Sequence, residues 1–157
     1  MKRRFVAFIC TTFIAVSTIF PIGALESPVI SQLHVVKYSV EPYASAYLSD
    51  YSIGFGARDN CRMVVTMDVN GVRTMDKIGC QMLIIEHKIN GVWYEYDTQL
   101  GIDHPDFYMY NTPSYLGGYE FYGEAGVQYR VTMIALAQNS TGYDTGEVTS
   151  YVITCRE

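Results

Sequence analysis

The segment from Asp103 to Asp106, with the sequence Asp-His-Pro-Asp, is the one cluster of ionisable groups on a predicted loop. Aspartate and histidine side chains can ligate a divalent metal ion, and a carboxylate beside an imidazole can transfer a proton. A metal site needs further ligands at matching spacing, and the sequence offers no second set. We therefore expect Asp103, His104 and Asp106 to be ordinary loop residues, with a small metal-dependent hydrolase as the alternative.

Other catalytic motifs are missing from the sequence. There is no Gly-x-Ser-x-Gly turn that would present a nucleophilic serine. The pair Gly54 and Gly56 lacks both the third glycine and the following helix of a phosphate-binding loop. We predict a protein that is not an enzyme and has no cofactor.

Aromatic residues are the feature that points to binding. Fourteen tyrosines occur in the chain, and several aromatic residues crowd into its middle. Exposed aromatic side chains can stack on sugar rings or form the centre of a protein interface, although tyrosine and tryptophan are also good strand formers. The residues predicted to bind a ligand are Trp93, Tyr94 and Tyr96 on one strand, and Tyr108 and Tyr110 on a loop over residues 103–113.

Composition excludes several classes of protein. The chain has 157 residues, of which 49% are hydrophobic and only 17% are charged, so it is neither disordered nor a coiled coil. Its net charge is −5, with 11 basic and 16 acidic residues, which argues against binding nucleic acid through a basic face.

The N-terminus has the pattern of a secretory signal peptide. A basic start, Lys2 to Arg4, precedes an uncharged apolar stretch from Phe5 to Phe20, and small residues follow up to Ala24. The apolar stretch is shorter than the roughly 20 residues of a membrane span. We predict a signal peptide over 1–24, a leader over 25–44 with an extended piece near Leu33–Val40, and a domain over 45–157. The exported protein would carry no membrane span.

The domain itself shows the period of two that is typical of β-strands. About seven short strands are separated by turn residues, including the pairs Asn70-Gly71 and Asn90-Gly91, and Gly117-Gly118 suggests a bulge or a bend. This pattern predicts an all-β, antiparallel β-sandwich of the immunoglobulin or fibronectin type III kind, with a closed barrel as the alternative. Odd-numbered positions of the first, second and sixth strands are predicted to form much of the core.

The stretch from Glu124 to Gly142 resembles the sixth-strand region of fibronectin type III modules. A corner of small residues is followed by Tyr129 and then by alternating apolar residues. The resemblance implies that the Tyr129 hydroxyl bonds back to the corner backbone, as in a tyrosine corner. The tryptophan that such modules carry on their second strand is absent, and Trp93 lies beyond the middle hairpin turn.

A wider resemblance covers most of the exported part. The chain is similar to a family of small secreted proteins of clostridium-like Gram-positive bacteria, a domain of unknown function. The residues that carry the resemblance are 44–52, 74–79, Asn90 to Trp93, 122–126 and Tyr129. The family implies an extracellular location and supplies no catalytic residue.

Three cysteines remain after removal of the predicted signal peptide. If the strands alternate in direction, Cys61 and Cys155 lie at the same end of the sandwich and Cys80 lies at the other. A Cys61–Cys155 disulfide is therefore one prediction, and three reduced, buried thiols are the other. In either case we expect Cys80 to be a core residue.

Together these features predict a secreted interaction or ligand-binding module whose partner is an extracellular protein or a glycan. A structural subunit of an extracellular assembly, built through an edge strand, is a further alternative.

Overall fold

The protein is built from β-strands. The computed structural model describes residues 33–39 and 45–156, so the predicted signal peptide and most of the predicted leader lie outside the described residues. The eight strands are β1 (Leu33–Ser39), β2 (Leu48–Ala57), β3 (Arg62–Ile89), β4 (Val92–Leu100), β5 (Tyr108–Tyr122), β6 (Gln128–Asn139), β7 (Gly142–Thr149) and β8 (Ile153–Thr154). Over these ranges the remaining regular structure is two 3-10 turns, and no helix has the length and apolar character to cross a membrane.

Strand β3 organises one curled, antiparallel sheet. Its residues 63–71 pair with β2 and residues 62–70 pair with residues 114–122 of β5, while residues 77–88 pair with β6. The far side of this later part pairs with β4 and with the start of β5. One half of the sheet therefore has the order β2–β3–β5 and the other β3–β6–β7, which is the neighbour order of an immunoglobulin-type sandwich. The predicted all-β, antiparallel fold is confirmed.

The core lies where the two halves face each other. Alternate residues of β2, β3 and β6 are buried there, as the period of two predicts. They are Tyr51, Ile53 and Phe55; Met63, Val65, Met67 and Val69; and Tyr129, Val131, Met133, Ala135 and Ala137. Burial of each large apolar side chain contributes about 1.5–3 kcal/mol to the free energy of unfolding.

The two predicted Asn-Gly turns have different outcomes. Asn90 and Gly91 both have positive φ angles, 51° and 84°, and form the tight turn that joins β3 to β4. The Asn70-Gly71 prediction is wrong, because β3 continues through both residues. Neighbours on both sides hold this stretch extended: Gly71 lies opposite Leu48 of β2, and Asn70 lies opposite Ser114 of β5.

The predicted loop over 103–113 is shorter than expected. After a 3-10 turn at Pro105–Phe107 the chain enters β5 at Tyr108, so residues 108–113 belong to a strand. The ladder then runs without a register shift through Gly117 and Gly118, so no bulge occurs there. Gly117 instead makes room for the buried Tyr115 ring, since a Cβ atom at this position would lie 1.9 Å from the Tyr115 hydroxyl oxygen.

The N-terminal part of the sheet includes residues of the predicted leader. The extended piece expected near Leu33–Val40 forms β1, which pairs antiparallel with residues 50–56 of β2. Asp144 of β7 fixes the start of the next described segment: its carboxylate accepts hydrogen bonds from the backbone N–H groups of Ala46, at 2.9 Å, and Tyr47, at 3.0 Å. This contact holds residues 45–47 against the opposite half of the sheet.

Candidate functional site

Trp93 lies on the outer face of the second half, where two cations cover its ring. It is directly opposite Lys88 in the β3–β4 ladder. The guanidinium carbon of Arg130 lies 4.4 Å from the ring centroid, and the Lys88 Nζ atom lies 5.5 Å from it. Arg130 is itself held by Glu86 through hydrogen bonds of 2.7 and 2.8 Å, and this partner raises the pKa of the arginine. Trp93 therefore takes part in an internal cation–π cluster.

Tyr96 closes the rim of the core, because it is the extra residue of a β-bulge. Glu95 lies opposite Glu86 and Asp97 lies opposite Ile85, which leaves Tyr96 unpaired between them. Its ring packs edge-on against Tyr129, with centroids 5.4 Å apart. Its hydroxyl donates a 3.0 Å hydrogen bond to the backbone carbonyl of Tyr122. Tyr94, two residues earlier, remains half exposed.

Tyr108 and Tyr110 lie at the other end of the second half. Lys77 places its Nζ atom 3.6 Å from the centroid of the Tyr108 ring. Tyr110 is opposite Lys77 in the ladder and is 61% exposed. Eleven residues of β3 separate Lys77 from Lys88, the partner of Trp93, which is about 35 Å of strand. The five aromatic residues that the sequence analysis grouped as a binding site therefore do not form one patch.

His104 is built into the fold. One of its ring nitrogens, Nε2, lies 2.6 Å from the side-chain oxygen of Gln99, and the imidazole stacks on the buried Phe107 ring with centroids 4.7 Å apart. Asp106 approaches the other nitrogen only to 4.0 Å. Across residues 45–156, no three Asp, Glu, His or Cys side chains are placed to hold a metal ion. The hydrolase alternative on Asp103, His104 and Asp106 gains no support from this geometry.

The end of the sandwich where β3 begins is cross-linked. Cys61 and Cys155, which the strand directions bring to the same end, are bonded, with Cα atoms 5.2 Å apart. Backbone hydrogen bonds surround the bridge: Cys61 donates to the carbonyl of Arg156 at 3.2 Å, and Cys155 donates to that of Val127 at 2.9 Å. This network holds the C-terminal segment against the start of β3.

Tyr129 makes the contact that the fibronectin type III resemblance implies. Its buried hydroxyl accepts a 2.9 Å hydrogen bond from the backbone N–H of Glu124, five residues earlier. Gly123 lies under the ring, because a Cβ atom there would be 2.8 Å from a ring carbon. The corner between β5 and β6 is therefore fixed by a tyrosine and a glycine together.

Cys80 is a buried, unbonded thiol. Burial raises its pKa to about 12, and its sulfur lies 3.3 Å from the backbone carbonyl of Met82. At neutral pH the group is a thiol, and only the thiolate is a good nucleophile. Burial also raises the pKa of Tyr115, whose hydroxyl has no hydrogen-bond partner among the described residues. Neither group has the exposure or the ionisation that nucleophilic catalysis requires.

Apolar side chains are concentrated along two edge strands, which the sequence pattern did not predict. Within the described residues β4 and β5 each pair only with β3, so each leaves one side of its backbone free. We call residues 92–122 of these strands and their connection the β4–β5 edge. Nine of the fourteen exposed large apolar side chains between residues 45 and 156 lie on it: Val92, Tyr94, Tyr96, Leu100, Ile102, Met109, Tyr110, Leu116 and Tyr122.

Comparisons with known proteins leave the family open. No family model matches the chain, and no curated protein is significantly similar to it. Membership of the secreted clostridium-like family therefore stays a prediction.

Proposed function

We propose that the protein is exported and acts as a non-enzymatic interaction module that captures an extended segment of an extracellular protein along β5. The signal-like start of the chain supports export. The disulfide between Cys61 and Cys155 is of the kind that persists in oxidising compartments.

The observation that carries the proposal is the low charge of β5, the second strand of the β4–β5 edge, together with its exposed apolar side chains. Natural edge strands are usually protected by charged residues, which discourage pairing with another chain. Strand β5 has 15 residues and one charged side chain, Glu120, and Arg62 neutralises this carboxylate through a 2.9 Å hydrogen bond from its Nε atom. Tyr110 and Leu116 are 61% and 71% exposed on the same strand.

An edge that is unpaired among the described residues, weakly charged and lined by exposed apolar side chains suits strand addition. In this binding mode the main chain of an extended peptide pairs with the edge and supplies affinity, while alternate side chains supply specificity. Large exposed apolar patches are rare on monomeric soluble proteins, and those that occur mark interaction sites. These properties favour a protein partner over a glycan for this surface.

The proposal can be tested with a random-peptide phage library panned on the folded, purified protein. We expect enriched peptides rich in β-branched and aromatic residues. The variant Tyr110→Lys should weaken the selected peptides by about tenfold or more, because interface tyrosines are often hot spots. Tyr143→Lys is the matched control, since Tyr143 is 63% exposed but lies on β7.

A second arm tests the pairing itself. In a strand paired on one side, every second backbone N–H points towards the neighbouring strand and the others point away from it. N-methylation of the amides that point towards β5 removes the donors of the ladder and should abolish binding. N-methylation of the amides that point away should leave binding unchanged. If no peptide is enriched, or if Tyr143→Lys weakens binding as much as Tyr110→Lys, the β5 edge is not the binding surface. Concentration-dependent dimers that Tyr110→Lys disrupts would instead assign the edge to self-assembly.

A further inference from the structure

A small cavity lies beside the disulfide, away from most of the β4–β5 edge. It has a volume of about 270 Å³ and is lined by Arg58, Asp59, Asn60, Arg62 and Tyr122. Drug-sized ligands occupy pockets of about 300–1,000 Å³, so this cavity suits a group the size of one sugar ring or one amino acid.

The two arginines of the cavity differ in the partners of their side chains. Arg62 is held by Glu120, and this ion pair raises its pKa. Arg58 donates its backbone N–H to the carbonyl of Arg62 at 2.8 Å, but its side-chain Nε atom is buried and has no hydrogen-bond partner in the described part of the protein. Buried donors are nearly always paired in folded proteins, and this one is not. Because the Nε atom has almost no accessible surface, a ligand in the cavity would have to bind the terminal nitrogens of the Arg58 guanidinium.

The turn that carries the cavity has an unusual backbone. Asn60 and Cys61 follow each other with φ angles of 57° and 55°. Asparagine tolerates this left-handed region, but cysteine seldom occupies it. The disulfide to Cys155 fixes Cys61 in place. The fold thus holds this turn in a strained conformation, which is a recurrent feature of binding sites.

The remaining lining residues indicate what kind of ligand fits. A guanidinium group recognises a carboxylate through two parallel hydrogen bonds. Asp59 would repel a bare anion but can accept hydrogen bonds from hydroxyl groups, and the Asn60 amide can both donate and accept. Tyr122 is 68% exposed and offers a ring face for stacking.

The geometry points to a binding site for an acidic sugar, with the carboxylate of a uronate on Arg58 and its hydroxyl groups on Asp59 and Asn60. This site uses residues other than Tyr110 and Leu116. The proposed sugar binding and the proposed capture of a peptide on β5 can therefore be tested independently of each other.

The probe is sodium glucuronate, titrated into the purified protein and followed by amide chemical shifts in ¹H–¹⁵N spectra. We expect saturable shifts confined to residues 58–62 and 122, with a dissociation constant in the millimolar range that is usual for a ligand of this size. Glucose, which lacks the carboxylate, and acetate, which lacks the hydroxyl groups, should each bind at least tenfold more weakly.

Variants separate binding from folding. Arg58→Gln should weaken glucuronate at least tenfold, and Arg58→Lys should give an intermediate affinity, because it keeps the charge but loses the planar fork. Arg73→Gln, an exposed arginine outside the cavity, should leave the affinity unchanged. The inference is overturned if glucuronate shifts no residue of the turn, if Arg58→Gln binds as well as the parent protein, or if acetate or alanylalanine binds as tightly as glucuronate.

Discussion

Removal of the Cys61–Cys155 disulfide tests how the sandwich is held closed. The bridge joins residues 94 positions apart, nearly the whole length of the domain. In the chain-entropy model a closed loop of this length lowers the entropy of the unfolded chain enough to contribute about 4.7 kcal/mol at 25 °C. The double variant Cys61→Ser, Cys155→Ser should lose an amount of this order.

That loss corresponds to a large change in melting temperature. Unfolding entropies of about 2.1 cal/mol/K per residue, applied to the residues described from Ser45 onward, give a decrease of about 20 °C. The variant should still fold, because the backbone hydrogen bonds around Cys61 and Cys155 do not depend on the bridge. Thermal denaturation followed by circular dichroism measures the shift.

Reductant and thiol counts supply the controls. Dithiothreitol should lower the melting temperature of the parent protein and of Cys80→Ala, and should leave the double variant unchanged. A chain that begins after Ala24 should show one thiol to Ellman's reagent in denaturant, namely Cys80. Three thiols would show that the bridge does not form. One thiol, together with melting temperatures of parent and double variant that agree within about 3 °C, would refute the chain-entropy argument.

Three further changes probe the packing and the buried ionisable groups. Tyr129→Phe leaves the Glu124 N–H without its acceptor and should cost about 1–3 kcal/mol in urea denaturation. Gly79→Ala should prevent stable folding, since Gly79 has φ 151° and a Cβ atom there would lie 2.0 Å from a backbone oxygen; Gly126→Ala, with φ 79° and open space, should cost only about 1 kcal/mol in the same assay. Burial raises the pKa of Cys80 from its ordinary 9.0 to about 12, so the unfolded chain releases this proton first. The free energy of unfolding should therefore fall as the pH rises from about 9 towards 12, by up to about 1.4 kcal/mol per pH unit, and Cys80→Ala should delay the fall.

The alternation of apolar residues predicted the fold class and most of the core, because burial on one face of a strand leaves a direct trace in sequence. The Asn90-Gly91 turn was equally visible, since both residues tolerate positive φ. The same signal failed at Asn70-Gly71, where pairing partners on both sides hold the chain extended. Local propensity indicates that a turn is allowed, but tertiary pairing decides whether it forms.

The binding surfaces were the least predictable part. Trp93 lies opposite Lys88 across the Asn90-Gly91 turn, which fixes that register, whereas Tyr110 lies opposite the distant Lys77, and this pairing has no local signal in the sequence. The bulge that turns Tyr96 towards Tyr129 is also invisible in the alternation. The cavity combines 58–62 with Tyr122, which meet only because β3 and β5 pair at that end.

Strand β3 has a consequence for how the protein opens. It spans 28 residues and hydrogen-bonds with β2, β4, β5 and β6, so one continuous backbone runs through both layers. Residues 62–71 of β3 pair within one layer and residues 77–88 pair within the other, so unfolding of either layer frees one end of a strand that the other layer still uses, which opposes independent unfolding. Amide protons of β3 should accordingly exchange with solvent in a single cooperative event at the same free energy, measurable by native-state hydrogen exchange. The domain would thus respond to stress as one indivisible unit.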